Sequence, residues 1–162
     1  MTSLDYSITL RIRHPSIDPQ ELSQQLGFKP QHAWRAGEQR LAETGEPTDG
    51  LYRETVWVGL LPQLDIDHPA GRRDPHTVST ESVPLDLPAA MLSLTAMKMK
   101  RAAAFWQNLA AQGGTVECLM QIRHDEHYQL DLSPTLIATL ADLRIALSVE
   151  VELTHGRDVA AA

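Results

Sequence analysis

The most metal-like run in the chain is a short charged segment, His124-Asp125-Glu126-His127. Imidazole and carboxylate groups are ligands for zinc and other transition metals. In an extended strand, however, His124 and His127 face opposite sides, and their spacing matches no helical ligand pattern. A polar turn explains the same residues, so we favour a turn and keep the two histidines as weak metal candidates.

A second group of possible ligands lies in the proline-rich segment of about residues 62–86. Asp67 and His68 could bind a cation, because hard cations prefer carboxylate oxygens. The run lacks the glycine and the final glutamate of a calcium loop, so an acidic loop is the favoured interpretation. Long loops often carry function, which makes this segment a place to look for binding. We predict no cofactor.

The densest cluster of residue types found at binding surfaces is Trp34, Arg35, Glu38 and Arg40. Tryptophan and arginine dominate the energetics of protein interfaces. A structural role explains the cluster as well: Glu38 would hold Arg35 or Arg40 in an ion pair, and Trp34 would cover the end of a helix. The sequence leaves both interpretations open.

Arg11 and Arg13 alternate with apolar residues in the first predicted strand, and Trp57 occupies a similar position in the second. Such a basic and aromatic sheet face would suit an RNA-binding sheet, in which bases stack on aromatic rings. Glutamates on neighbouring strands favour cross-strand pairing with these arginines instead. An exposed tryptophan among paired charges indicates a protein-binding or self-association surface.

The elements that carry these residues follow one pattern twice. The segments Leu10–His14 and Met120–His124 both read as strands that end in Ile-Arg-His. Asp18-Pro19 and Ser133-Pro134 then read as an N-cap followed by the first residue of a helix. We interpret the repetition as two similar units, each strand–helix–strand, that complete one sheet, with His14 and His124 at strand ends.

The remaining elements are predicted from hydrophobic periodicity. The segment 37–50 reads as a loop, 52–60 as a strand with Val56, Val58 and Leu60 inward, and 87–112 as one long helix. Strands follow over 115–123 and 146–153, and 128–132 is expected to pair with the former as a hairpin. We predict one α+β domain over 1–155 with a flexible tail at 156–162. Its mainly antiparallel sheet would have helices packed on one face, as in a ferredoxin-like or related sandwich.

Bulk composition narrows the function. The chain has 162 residues and a net charge of -7, which disfavours nucleic acid as a partner. Cys118 is the only cysteine, so a disulfide within the chain and a cysteine zinc site are excluded, and the thiol is expected to be an inert part of the core. The sequence shows neither a secretory leader nor an apolar run that could span a bilayer, so we expect a cytoplasmic protein without membrane contact.

Several short motifs resemble a known family. They are Ile17-Asp18-Pro19, Leu26-Gly27-Phe28-Lys29-Pro30 and Gly37-Glu38, with Leu132-Ser133 and Val149-Glu150-Val151 near the end. Together they are similar to the bacterial proteins called "domain of unknown function 4279". The resemblance implies a bacterial α+β domain and transfers no catalytic residue, because that family carries no assigned activity.

The expected function is therefore a non-enzymatic module that binds a protein partner or forms a homo-oligomer. A role such as toxin neutralisation would fit a small acidic domain. One alternative is a small-ligand or metal-binding protein, or a hydrolase, that uses histidines and carboxylates from the loops. The other is an RNA-binding sheet.

Overall fold

A sheet and four helices make up the computed structural model, which describes residues 4–61 and 86–153. The elements are β1 (Leu4–His14), α1 (Pro19–Leu26), β2 (His32–Trp34), β3 (Gln39–Leu41), β4 (Pro47–Leu51), β5 (Thr55–Leu60), α2 (Leu87–Lys100), α3 (Ala103–Ala111), β6 (Thr115–His124), α4 (Pro134–Asp142) and β7 (Ile145–Leu153). The main sheet has the order β2-β5-β1-β6-β7, and β3 and β4 form a separate hairpin. All neighbours in the main sheet are antiparallel except β6 and β7. The α+β class with a mainly antiparallel sheet is confirmed.

The core lies on one face of the central strand. Ile8, Leu10 and Ile12 alternate along β1 and are all buried, as the period of a strand requires. Each helix contributes buried side chains to the same cluster. They are Leu22 from α1, Leu92 and Met99 from α2, Trp106 from α3, and Leu136 and Leu140 from α4. The opposite side of the sheet, the open face, carries Arg11 and Arg13 of β1.

Two helices begin as predicted. The Asp18 carboxylate accepts a hydrogen bond from the Gln20 N–H at 2.8 Å, and the Ser133 hydroxyl oxygen accepts one from the Leu136 N–H at 3.1 Å. Each cap satisfies a backbone donor that the first turn of a helix leaves without a partner. Gly27 then ends α1 at φ 78°, a left-handed conformation in which glycine has no side-chain clash.

The helix predicted over 87–112 is interrupted after its first half. The backbone turns at Arg101 and Ala102, whose N–H groups bond to carbonyls three residues back. The indole N–H of Trp106 donates to the Met99 carbonyl at 3.0 Å, so this carbonyl has a side-chain partner at the break. The predicted apolar stripe still faces the core, since Leu92, Met99 and Trp106 are buried.

Other predicted elements were wrong in type. Segment 37–50, expected to be a loop, contains β3 and β4, and β2 was not predicted. Proline, aspartate and glycine, all disfavoured in strands, occupy Pro47, Asp49 and Gly50 of β4. The stretch 128–132 forms no strand, because β1 and β7 already occupy both sides of β6.

The two halves are not equivalent units. Between α1 and β5 the chain forms β2 and the β3–β4 hairpin, and β5 then runs antiparallel to β1. Between β6 and β7 it forms only α4, and these strands are parallel. The predicted tail and nearly all of the predicted loop, with Asp67 and His68, lie outside the described residues. In the described parts of the chain, no helix is long and apolar enough to cross a membrane.

Candidate functional site

A cleft of about 540 Å³ lies between the open face of the sheet and the β3–β4 hairpin. We call it the arginine cleft, because cationic side chains from four separate positions converge on it. Its lining residues are Arg11, Arg13, Trp34, Arg40, Leu51, Tyr52, Arg53, Glu54, Val56 and Val58.

Sheet register brings the floor of the cleft together. Arg13 of β1 lies opposite Val56 of β5, which in turn lies opposite Trp34 of β2. Arg11 lies opposite Val58 in the next row. Cross-strand partners project from the same face, so arginine, valine and tryptophan side chains share this surface. Val56 is only 7% exposed although it is on the open face, which shows how closely the cleft walls cover it.

Backbone bonds close the base of the β3–β4 hairpin. The Gly37 N–H donates to the Tyr52 carbonyl at 2.8 Å, and the Tyr52 N–H donates to the Glu38 carbonyl at 2.9 Å. The Tyr52 ring stacks on Trp34, with centroids 5.1 Å apart and planes inclined by 21°. This offset stack joins the hairpin to β2 and presents a flat apolar wall.

A buried threonine ties the same region to the core. The Thr55 hydroxyl donates to the Ile17 carbonyl at 2.7 Å and accepts a hydrogen bond from the Ala36 N–H at 3.1 Å. Thr55 is fully buried, so these bonds are shielded from water. The cleft therefore rests on β5 and the turn before β3.

Two arginines on the floor are paired. Arg11 contacts Glu117 at 3.2 Å and Arg13 contacts Glu54 at 3.7 Å. Arg11 and Glu117 are opposite each other on β1 and β6, and Glu54 directly precedes β5. Both contacts confirm the predicted Arg–Glu pairing. All four side chains are partly exposed, and such pairs contribute about 0–1 kcal/mol. An incoming anion can therefore compete for the arginines at little cost.

Two further arginines at the rim have no such partner. Arg40 projects from β3 and Arg53 precedes β5, and both are exposed. Within residues 4–61 and 86–153, neither guanidinium has a carboxylate within 4.0 Å. Within the part of the chain that the structure describes, the cleft therefore carries positive charge that no carboxylate offsets, although the whole chain has a net charge of -7.

The four residues of the predicted cluster, Trp34, Arg35, Glu38 and Arg40, have two different roles. Trp34 and Arg40 line the cleft. Arg35 instead pairs with the Asp18 carboxylate at 3.3 Å, and the Glu38 carboxylate accepts a hydrogen bond from the Arg35 N–H at 3.0 Å. Arg35 and Glu38 shape the turn that leads into the hairpin. The helix-covering role suggested for Trp34 is not observed, because its ring stacks on Tyr52.

The predicted exposure of Trp57 is wrong. This side chain is 0% exposed and points to the helix side of the sheet. Its indole N–H donates to the Ser23 hydroxyl at 3.0 Å, and Phe28 meets the ring edge-on at 5.2 Å. Gly59 provides the space, because a Cβ there would lie 2.4 Å from the Trp57 ring. Val56 and Val58, predicted to face inward, therefore lie on the open face.

The other candidate residues do not converge. His124 is buried at the end of β6, whereas His127 is exposed. In the described ranges, no group of three histidine, cysteine, aspartate or glutamate side chains could hold a metal ion. Cys118 is fully buried, and burial raises the pKa of its thiol to about 12, as an inert core thiol requires.

Tyr52, Arg53 and Glu54 complete the cleft and were not among the predicted site residues. A signal exists in the run Leu51-Tyr52-Arg53-Glu54, which sets an aromatic residue beside an arginine directly before a strand. The hairpin that carries it over the sheet is not apparent from the same residues.

A larger hollow, of about 1040 Å³ between α3 and α4, lacks this convergence. Four of its ten lining residues are alanines, Ala103, Ala110, Ala111 and Ala141. Its cationic residues, Lys100 and Arg144, have no aromatic companion among the lining residues that the structure describes. The arginine cleft is therefore the candidate site.

No protein-family model, no curated protein and no solved structure matches this chain.

Proposed function

We propose that this protein is a non-enzymatic binding module that receives an acidic segment of a partner protein in the arginine cleft. The observation that carries the proposal is the convergence of Arg11, Arg13, Arg40 and Arg53 beside the Trp34–Tyr52 stack. Guanidinium groups bind carboxylates in a forked geometry, and tryptophan and tyrosine supply rigid apolar area.

The charges around the cleft favour a protein partner over a nucleic acid. Among residues 4–61 and 86–153, Glu117 and Glu54 offset Arg11 and Arg13, whereas Arg40 and Arg53 have no carboxylate within 4.0 Å. A nucleic-acid site needs a series of cations along a phosphate backbone. Two free guanidinium groups suit one or two carboxylates of a peptide segment.

The apolar lining supports the same partner. Leu51 is exposed on the hairpin next to the guanidinium groups, and Val58 lies in the floor. An acidic segment with an apolar side chain between its carboxylates would contact both kinds of lining. The described lining residues include no histidine, cysteine or serine, and the one carboxylate among them, Glu54, is paired with Arg13. This lining supports binding rather than nucleophilic catalysis.

The family resemblance is part of this proposal. We propose that the chain belongs to the bacterial "domain of unknown function 4279" proteins and is related to ferredoxin-like sandwiches. A toxin-neutralising role would agree with a small acidic α+β domain. Each rests on the sequence motifs and the composition.

Binding of a defined probe tests the function. A fluorescein-labelled peptide of alternating glutamate and leucine is titrated with the protein, and fluorescence anisotropy gives the dissociation constant. We expect the double variant Arg40→Glu, Arg53→Glu to bind at least about tenfold more weakly than wild type, since each reversal replaces attraction by repulsion.

The matched control is the double variant Lys29→Glu, Arg101→Glu, which changes the charge equally at exposed positions outside the cleft. It should bind within about twofold of wild type, because screening removes most of a distant charge effect. Equal weakening in both variants would contradict a specific cleft. Tighter binding of a labelled oligouridine than of the peptide would replace the protein partner by RNA.

A further inference from the structure

The edge strand β7 presents an apolar row that the rest of the described fold does not cover. Val149, Val151 and Leu153 lie on the helix side of the sheet and are 38%, 48% and 56% exposed. Their neighbours in β6, Met120 and Ile122, are buried. Exposure therefore rises along the strand and is concentrated at the sheet edge.

The backbone of this edge is also open. β7 is the last strand in the order β2-β5-β1-β6-β7, so within residues 4–61 and 86–153 only one of its sides pairs with another strand. Proteins usually protect such an edge with charged side chains, especially lysine, with proline or with a bulge. Ile145–Leu153 contains neither lysine nor proline, its two charged residues are Glu150 and Glu152, and its pairing with β6 is regular over nine residues.

We propose that β7 pairs antiparallel with β7 of a second copy of this chain, about a two-fold axis at Val149. A strand that pairs with its own copy has a register defined by the residue on the axis. Val149 is the middle residue of Ile145–Leu153, so this register alone pairs the full strand with the full strand.

The same register places no glutamate directly opposite another glutamate. With Val149 on the axis, Glu150 lies opposite Ser148 of the copy and Glu152 lies opposite Ala146 of the copy. A shift to Glu150 on the axis would set that carboxylate against its own copy, and a shift to Val151 would set Glu150 against Glu152. Like charges directly opposite each other destabilise a strand pair.

The two glutamates are also engaged within each chain. The Gln121 side chain donates to the Glu150 carboxylate at 2.9 Å, and Arg123 contacts the Glu152 carboxylate at 2.9 Å. Both contacts turn the carboxylates toward β6 and away from the free edge. On the other face of the sheet, Val151 would lie opposite Leu147 of the copy, and Leu153 opposite Ile145 of the copy. One apolar row would therefore continue across both sheets.

A single strand pair is a small interface, and we expect a dissociation constant of roughly 10–500 µM. Sedimentation equilibrium from about 1 µM to about 1 mM protein should show the mass rising from 18.0 kDa toward twice that value. A mass that stays at the monomer value over this range would overturn the proposal.

A charged substitution on the axis distinguishes pairing from general apolar association. Val149→Lys sets two ammonium groups against each other and should leave only monomer. The matched control is Ile137→Lys, which removes an apolar side chain that is 46% exposed on α4. If Ile137→Lys dimerises with the wild-type dissociation constant while Val149→Lys stays monomeric, the proposal is supported. If both variants lose dimerisation equally, the proposal is overturned.

Cross-linking tests the register. The only natural cysteine, Cys118, is buried. Under mild oxidation, Val149→Cys should form a covalent dimer, because the two sulfurs would face each other across the axis. Val151→Cys should not, since its copies would be about 13 Å apart along the strands. A covalent dimer from Val151→Cys but not from Val149→Cys would refute this register.

Discussion

The segments that end β1 and β6 share the sequence Ile-Arg-His and form related turns with different consequences. In each, the isoleucine is buried, the arginine is exposed and the final histidine is buried. The Nδ1 atom of His14 accepts N–H bonds from Ser16 at 3.1 Å and Ile17 at 2.9 Å, so its proton lies on Nε2, which faces Gln112 Oε1 at 3.3 Å. The histidine organises the turn that leads to α1.

His124 makes a less constrained version of this turn. Its Nδ1 lies 3.1 Å from the Glu126 nitrogen and 2.9 Å from the Glu126 carbonyl oxygen, and it bonds to one or the other according to its tautomer. The two histidines stand at opposite ends of the antiparallel β1–β6 pair, since His124 lies opposite Leu4. A local turn of one type is therefore compatible with two different continuations.

The difference arises after the helices. The first continuation adds β2 and the β3–β4 hairpin, returns antiparallel as β5, and buries that strand beneath the cleft. The second goes directly from α4 to β7, which is parallel and remains at the edge. The inserted hairpin, rather than the repeated turn, therefore creates the arginine cleft.

The largest contrast between the halves should appear in the strands that end them, the internal strand β5 and the edge strand β7. Trp57→Ala removes a fully buried ring from β5 and should lower the free energy of unfolding by about 3–5 kcal/mol. Val149→Ala in β7 should change the stability of the monomer by only about 0.5 kcal/mol, because the side chain is exposed. Urea unfolding at low protein concentration measures both. A comparable loss in the two variants would mean that β7 is covered.

The turns should differ by a smaller amount. His14→Ala leaves two backbone N–H groups without an acceptor, at about 1–3 kcal/mol each, whereas His124→Ala affects one such contact. We expect His14→Ala to be the more destabilising in thermal unfolding. His14→Asn is the control, since its carbonyl oxygen can replace Nδ1 and should recover part of the loss. No difference between the two alanine variants would remove this distinction.

The helix caps should give the smallest effects. Asp18→Ala and Ser133→Ala each remove one N-cap bond and should cost about 1 kcal/mol. Asp18→Asn retains the cap and loses only the ion pair with Arg35, so its cost should be a few tenths of a kcal/mol, about the value of an exposed pair. Chemical denaturation of the three variants checks this order. A loss in Asp18→Asn as large as in Asp18→Ala would show that the ion pair matters more than the cap.

Local chemistry made part of the fold predictable. Asp18-Pro19 and Ser133-Pro134 specify helix starts through short-range bonds, and strict alternation in β1 specifies which side is buried. Strand β5 lacks such alternation, because Val56, Trp57 and Val58 are all apolar. Its orientation depends on the space beside Gly59, which is a tertiary property.

Part of the lining of the arginine cleft was predictable as well. Alternation identified Arg11 and Arg13, and residue type identified Trp34 and Arg40. Tyr52 and Arg53 enter the cleft only because the hairpin crosses the sheet. In that hairpin, β4 pairs with β3 despite Pro47 and Gly50, and long-range contacts override the weak strand propensity.

The arginine cleft lies toward one edge of the sheet, at β2 and β5, and β7 forms the other edge. A two-fold axis perpendicular to the sheet would keep both open faces on the same side. A dimer through β7 would therefore present two clefts at its far ends, open in the same direction. A partner with two acidic segments, or a repeating one, would then bind with avidity, because the first contact raises the effective concentration of the second.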